Sequence, residues 1–269
     1  MQHVMIIGAG AIGSYLVREL HRMYPEARLS CIERPEFSEQ ARARLLEIAG
    51  GAAEVYESVA AVPAGAELAV ECGGHAAVSQ HGAICLEAGH DLLVASVGAL
   101  ADQALYDRLV AAARRSGSKL LIPAGAVAGM DGLAAARLAG IDRVRYTSRK
   151  PPLAWKGTHA EKLCNLDAVV DATEFLRTDA RQAATLFPQN ANVAATIALA
   201  GIGFERTEVS LNADPGAKGN THLMEVEGAC GSMRIELRNK PFRDNPKTSM
   251  LAGLSLLRVI RNRAEAVQV

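Results

Sequence analysis

The sequence has no excess of either charge. Its 269 residues carry 29 Lys plus Arg against 29 Asp plus Glu. A balanced surface gives no basic patch for a polyanion, so nucleic acid is not an expected partner. Long apolar runs are also missing. No uninterrupted stretch approaches the roughly 18 residues a membrane-spanning helix needs, so no membrane partner is expected. Cysteine is sparse and unpaired: Cys31, Cys72, Cys85, Cys164 and Cys230 are scattered, odd in number and without metal-site spacing. That pattern argues against a disulfide framework or a metal centre and suits reduced thiols in the cytoplasm. The chain opens directly on the strand-like "HVMIIG", with no basic flank ahead of a long apolar core, so a secretory leader is not expected. Repeats, low-complexity tracts and long linkers are absent too.

What remains is an ordinary globular composition, 49% hydrophobic and 22% charged. In the first half, short apolar runs alternate with longer helical patterns. Strands are expected at 3–8, 28–33, 67–72, 91–96 and 119–123, and helices at 11–23, 37–49, 75–89 and 102–116. Buried strands alternating with crossover helices predict an α/β fold, a doubly wound parallel sheet. Beyond about residue 125 the rhythm changes. "RVRYTSRKPP", "RTEVSLNAD", "THLMEVEG" and "MRIELRNK" read as strands of a mainly antiparallel sheet with one polar face, the last two joined by the turn "ACGS". An Ala-rich helix at 190–201 opens on an Asn cap, and a final amphipathic helix starts near Thr248 or Ser249. The expected organisation is a dinucleotide-binding domain at 1–125 followed by an α+β domain at 126–240, with a closing helical segment at 241–269.

"IIGAGAIGSYLVREL" places Gly8, Gly10 and Gly13 in a G-x-G-x-x-G pattern between an apolar strand and an amphipathic helix. Gly8 permits the tight turn, Gly10 lets the backbone approach a pyrophosphate, and Gly13 lets helix and strand pack closely. Ala11 and Ile12 open the helix whose N-terminus would hold the phosphate charge. Glu33 ends the next strand about 20 residues past the third glycine, where a ribose diol is bound in this motif. A carboxylate there favours NAD over a 2′-phosphate. Arg34 beside it could pair with that phosphate, so tolerance of NADP is expected as well. The loops "ECGGHAAV" and "SVGALAD" are expected to form the far wall. His75 in the first reads as solvated or cap-adjacent, and Cys72 as a small buried filler.

Five polar side chains bear on the second domain. His222 heads a strand and alternates onto one face with Met224 and Val226. Locally this fits a satisfied core histidine as well as a proton-moving one. Lys218 in the preceding loop, and Arg149 and Lys150 before Pro151, are candidates for binding a substrate carboxylate, each with a solvated-charge alternative. Asn192 at a helix start can serve as a cap. Asp131, Trp155 and His159 are taken as structural.

The motifs "GAGAIG", "ECGGHAAV", "SVGALAD", "IPAGAVAGMDGL", "SRKPP", "FPQNANVAATIALAG" and "NADPGAKGNTH" follow one another along the whole chain. Together they resemble the L-aspartate dehydrogenase family, NAD(P)-dependent enzymes that interconvert L-aspartate and oxaloacetate plus ammonia through iminoaspartate. The resemblance implies a Rossmann domain completed by the C-terminal helix and a central domain for substrate binding and homodimerisation. It further implies a role in feeding NAD biosynthesis. By motif, Ala126 and Asn192 become nicotinamide-side contacts and His222 the catalytic residue, for which an imidazole titrating near neutrality would suit. A sibling dehydrogenase of the dihydrodipicolinate reductase or homoserine dehydrogenase type, and an NAD-binding sensor without turnover, are the competing readings.

Overall fold

A computed structural model describes residues 2–188, 191–242 and 245–268. By backbone proximity the chain divides into two units, Met1–Pro123 with Gly253–Val269, and Ala124–Ala252.

Unit 1 contains a six-stranded parallel sheet. Its strands are β1 (His3–Ile7), β2 (Arg28–Ile32), β3 (Ala53–Tyr56), β4 (Leu68–Glu71), β5 (Asp91–Val94) and β6 (Leu120–Leu121), in the spatial order 3-2-1-4-5-6. The central strands are buried along their length, as continuous apolar runs predict when helices cover both faces. Four helices connect them: α1 (Ala11–Met23), α2 (Pro35–Ala49), α3 (His75–Glu87) and α4 (Gln103–Ser116). Their ends follow local chemistry. Asp102 caps α4 by accepting the Ala104 and Leu105 N–H groups, and Gly117 closes it in the left-handed region. Pro35 opens α2, two residues ahead of the expected start. The edge strand β3 was not foreseen, and β6 is much shorter than the run 119–123 suggested.

The order reverses at β1, with β2 on one side and β4 on the other. A crevice at this switch point is where doubly wound sheets bind ligands. Near the C-terminus, α8 (Met250–Ala264) contributes Leu256, Leu257 and Ile260 to the same core as Val4, Ile6, Leu16 and Leu29. Ser249 precedes α8, but its buried hydroxyl has no hydrogen-bond partner and so makes no cap. The Thr248 side chain lies outside the described residues.

Unit 2 is built on a five-stranded mixed sheet. Its strands are β7 (Ile141–Lys150), β8 (Thr173–Asp179), β9 (Thr207–Ala213), β10 (Asn220–Gly228) and β11 (Gly231–Asn239), ordered 11-10-7-9-8. All neighbours run antiparallel except β7 and β9, which pair in parallel. Helices α5 (Met130–Ala139), α6 (Ala180–Leu186) and α7 (Asn192–Ala200) belong to this unit, as does a small ribbon of β12 (Pro241–Phe242) with β13 (Asn245–Ser249). The "ACGS" turn joins β10 to β11 as expected, with Gly231 at φ +115°. Helix α7 does not begin on an asparagine cap. Ala191 occupies that position without a side-chain bond, and Asn192 is the first helical residue. Asn190 lies outside the described residues.

β7 shows why the register matters. Val144, Tyr146, Ser148 and Lys150 face one way and are buried, while Arg143, Arg145, Thr147 and Arg149 face the other. β10 brings His222, Met224 and Val226 onto the buried face, opposite Ser148, Tyr146 and Val144 respectively.

Candidate functional site

The glycine turn of unit 1 lines a cleft of about 440 Å³ together with Ile32, Glu33, Arg34, Phe37, Arg44 and Gly73. Gly8 sits at φ +97°, which a side chain rarely adopts, and a Cβ there would lie 2.7 Å from the Gly73 Cα. A Cβ on Gly13 would come within 1.9 Å of the Gly8 carbonyl oxygen, so this glycine is demanded by packing. Gly10 differs: a Cβ on it would meet nothing within 4 Å. Its missing side chain leaves open space beside the start of α1. Ala11 and Ile12 are the first two residues of α1, where free backbone N–H groups and the helix dipole favour an anion. Ile12 also packs against the unit 1 core.

Glu33 lies at the end of β2, with its carboxylate held by two backbone donors, Ala9 N–H at 2.9 Å and its neighbour Arg34 N–H at 3.0 Å. It therefore stands fixed over the turn. Arg34 pairs with Glu36 at 3.2 Å and stacks on Phe37 at 4.6 Å. A second cation, Arg44, donates to the Ala9 carbonyl at 2.8 Å. Its position on α2 was not anticipated, since one arginine on a helix gives no sequence signal of its own.

Glu71 was also overlooked. It is fully buried at the end of β4, where it accepts the Gly74 N–H at 2.7 Å, the Ser96 N–H at 3.0 Å and the Ser96 hydroxyl at 3.0 Å. It thus ties the two loops expected to form the far wall. Burial raises its pKa, and these hydrogen bonds pull the other way. An acid closing the apolar run "ELAVEC" was the available clue.

In unit 2, His222 is 5% exposed, and its Nδ1 lies 2.7 Å from the Tyr146 hydroxyl. The rings are nearly parallel, 20° apart with centroids at 5.9 Å. Ser148, the register partner of His222, shares this buried face with Tyr146 and eases the ionisation of its phenol. Lys150 follows on this face, 8% exposed, with Nζ 4.6 Å from the centre of the Trp155 ring. Burial lowers the Lys150 pKa to about 8. Burial and, second, the Lys150 charge lower that of His222 to about 4. The imidazole is therefore neutral near pH 7, not half-protonated as the sequence suggested, because taking up a proton would bury a second cation beside the first.

The structure thus brings Lys150 onto the His222 face. It turns Arg149 to the opposite, exposed face and leaves Lys218 exposed in the loop before β10. That loop is tightened by Asp214, which accepts the Gly216 N–H at 2.8 Å. Ala126 is half-buried, and its carbonyl accepts from the Asn239 amide at 2.7 Å. Asn192 is half-buried at the start of α7. Trp155 is fully buried and donates its indole N–H to the Asn212 carbonyl at 3.0 Å. Among the described residues no cluster of three His, Cys, Asp or Glu side chains could hold a metal, and no helix is long and apolar enough to cross a membrane.

Residues 131–263 match the family described as aspartate dehydrogenase, C-terminal, and residues 8–123 match that described as homoserine dehydrogenase, NAD binding domain. An L-aspartate dehydrogenase of Cupriavidus necator is 45% identical, and one of Pseudomonas aeruginosa 43%, each aligned over 100% of both chains. The crystal structure of aspartate dehydrogenase from Thermotoga maritima superposes with a TM-score of 0.80 at 25% identity, covering 100% of this chain and 99% of that one.

Proposed function

The chain belongs to the L-aspartate dehydrogenase family, and on that premise we propose that it interconverts L-aspartate and oxaloacetate plus ammonia through iminoaspartate. The observation that carries this reading is the buried strand face on which a neutral histidine and a lysine stand together. A dicarboxylate needs a fixed cation, and a carbinolamine or carbonyl oxygen needs a hydrogen-bonding group. Lys150 and His222 are of those two kinds.

NAD fits the unit 1 cleft: the space left open by Gly10 suits a pyrophosphate and the fixed Glu33 carboxylate suits a ribose diol. When bound, NAD supplies the hydride acceptor. The chain's own residues bind and orient. Gly8, Gly10, Ala11, Ile12 and Gly13 present backbone to the phosphates, Glu33 selects the unphosphorylated ribose, and Ala126 and Asn192 contact the nicotinamide end. Arg34 and Arg44 supply the positive charge that lets NADP be used as well. Lys150 holds a substrate carboxylate, in preference to the exposed Arg149 and Lys218, and His222 hydrogen-bonds the reacting oxygen.

The active species is a homodimer. The half-exposed sheet face opposite His222 supports this reading, with Arg143, Arg145, Glu208, Glu225 and Arg234 interleaved in a self-complementary pattern. In the cytoplasm its iminoaspartate would feed NAD biosynthesis.

Steady-state kinetics in both directions, with both cofactors, tests the reading. Oxaloacetate-dependent NADH oxidation should require ammonia. Oxidation that ignores ammonia would identify a hydroxyacid dehydrogenase instead. Turnover on other keto acids alone would identify a sibling enzyme, and tight NAD binding with no turnover a sensor. A sedimentation experiment showing only monomer would remove the dimer.

A further inference from the structure

We infer that Tyr146 is the positioning residue for His222, directing its phenol proton at Nδ1 so that the imidazole proton resides on Nε2 and His222 meets the substrate as a neutral hydrogen-bond donor. This rests on His222 being the residue that touches substrate.

The hydroxyl lies 2.7 Å from Nδ1, and both residues are almost fully buried, Tyr146 at 1% exposure and His222 at 5%. No solvent competes for that bond. Either partner could in principle donate. An imidazole nitrogen is a much better acceptor than a phenol oxygen, and a phenol is the better donor, so O–H to Nδ1 is the favoured direction. The environment of Tyr146 reinforces it. Ser148 stands opposite His222 in the strand register, 2% exposed, and its hydroxyl eases the ionisation of the phenol that burial opposes. A serine hydroxyl donating to the phenol oxygen occupies its lone pair and polarises O–H toward the histidine. The proposed polarisation runs from Ser148 through Tyr146 to His222, and the bond between the last two crosses adjacent strands.

Among the described residues, the groups flanking His222 on this face are Lys150 on β7, Met224 on its own strand and Leu237 opposite on β11. None of them offers a carboxylate to stabilise an imidazolium. With burial and Lys150 both opposing a second proton, the ring carries one proton near neutral pH. Tyr146 then decides which nitrogen has it. A neutral imidazole with a fixed N–H can polarise a carbonyl or carbinolamine oxygen without itself accepting the amine proton. No bond to carbon is made or broken by the histidine in this role.

The test uses ¹⁵N-histidine NMR on the NAD-bound, substrate-free protein, with His222 assigned by its loss in His222→Gln. The wild type should show protonated Nε2 and bare Nδ1. Tyr146→Phe keeps the ring and loses the hydroxyl. It should shift His222 toward a mixture of tautomers and lower kcat roughly 10- to 100-fold, part of the roughly 10²- to 10⁴-fold that positioned acid–base groups contribute. The Kd for NADH should stay within about 2-fold, since the hydroxyl acts on the substrate side. Ser148→Ala should move the tautomer and kcat the same way by a smaller amount, and it serves if Tyr146→Phe fails to fold. A proton on Nδ1 in the wild type overturns the proposal. So does a folded Tyr146→Phe in which the tautomer or kcat stays at the wild-type value. The underlying reading fails separately, if His222→Gln retains wild-type turnover.

Discussion

Tyr146 and His222 share a buried hydrogen bond across neighbouring strands, with hydroxyl oxygen and Nδ1 2.7 Å apart. The pair sits on a sheet face where water is excluded and Lys150 is the adjacent charge. That setting has a consequence for stability as well as for catalysis.

An unfolded histidine takes up a proton near pH 6.5, whereas His222 in the fold does so only near 4. Between those values the unfolded chain holds the extra proton, so stability must fall as the solution is acidified through this window. The displacement corresponds to roughly 3 kcal/mol once fully developed. Urea melts of the wild type and His222→Gln across that range should show a steeper acid loss in the wild type. Parallel curves would mean that the imidazole ionises in the fold as easily as in water.

Lys150 gives the opposite end of the pH profile. Its pKa, lowered from 10.5 to about 8 by burial, leaves it charged at neutral pH and increasingly neutral above pH 8. If it holds a substrate carboxylate, the KM for oxaloacetate should rise as pH passes that value, with the Kd for NADH unchanged. Lys150→Met should abolish this step and raise KM roughly 10- to 100-fold, the range expected for a charge-assisted hydrogen bond. The same variant should be more stable at neutral pH. The folded state bears a desolvation cost below about 8 that is relieved only as pH climbs toward 10.5. Wild-type KM in Lys150→Met would return the carboxylate to Arg149 or Lys218.

The thiols should divide sharply. Burial pushes Cys31 and Cys85 up to about 12 and Cys72 well above its ordinary value, so none of the three presents a thiolate at neutral pH. Cys230 is exposed in the turn between β10 and β11, and Cys164 is half-buried. Titration of the native protein with an aromatic disulfide should give a fast phase from Cys230 and a slower one from Cys164. Cys31 and Cys85, fully buried, should react only on unfolding, while Cys72, half-buried in the wall of the unit 1 cleft, should react slowly at most. A fast phase that survives Cys230→Ser would contradict the burial of the other thiols.

Local chemistry was legible in the sequence wherever a feature and its cause are near neighbours. The Gly8–Gly13 turn, Glu33 at the end of its strand, and the period-two burial of β10 all follow from spacing along a few residues. Features created by pairing were not. Tyr146 and His222 are 76 residues apart, and nothing in either segment marks the other as its partner. The parallel alignment of β7 with β9 depends on which strand fills the middle of the sheet, and that is a long-range outcome. Lys150 and Arg149 were equivalent as cations in the sequence. Only the register of β7 against β10 sends one to the histidine face and the other to the surface. The shift of His222 from titrating near neutrality to staying neutral has the same origin, since Lys150 becomes its neighbour only in the folded sheet.

Gly10 and Gly13 of the turn should fail in different ways. In Gly13→Ala the new Cβ would stand 1.9 Å from the Gly8 carbonyl oxygen, backbone that cannot yield without opening β1 from α1. The expected cost is at least the roughly 1–3 kcal/mol of an overpacked core, seen as a lower Tm with or without NAD. In Gly10→Ala the Cβ meets nothing within 4 Å, and the backbone, at φ −67°, is open to any residue. That variant should melt like the wild type in the absence of cofactor. The methyl would instead occupy the approach of the pyrophosphate, raising the Kd for NADH roughly 10- to 100-fold, equivalent to about 1.4–2.7 kcal/mol. Thermal melts and fluorescence titration with NADH separate the two effects. If Gly10→Ala binds NADH as tightly as the wild type, the phosphates do not pass over this turn, and the assignment of the unit 1 cleft to the cofactor loses its main support.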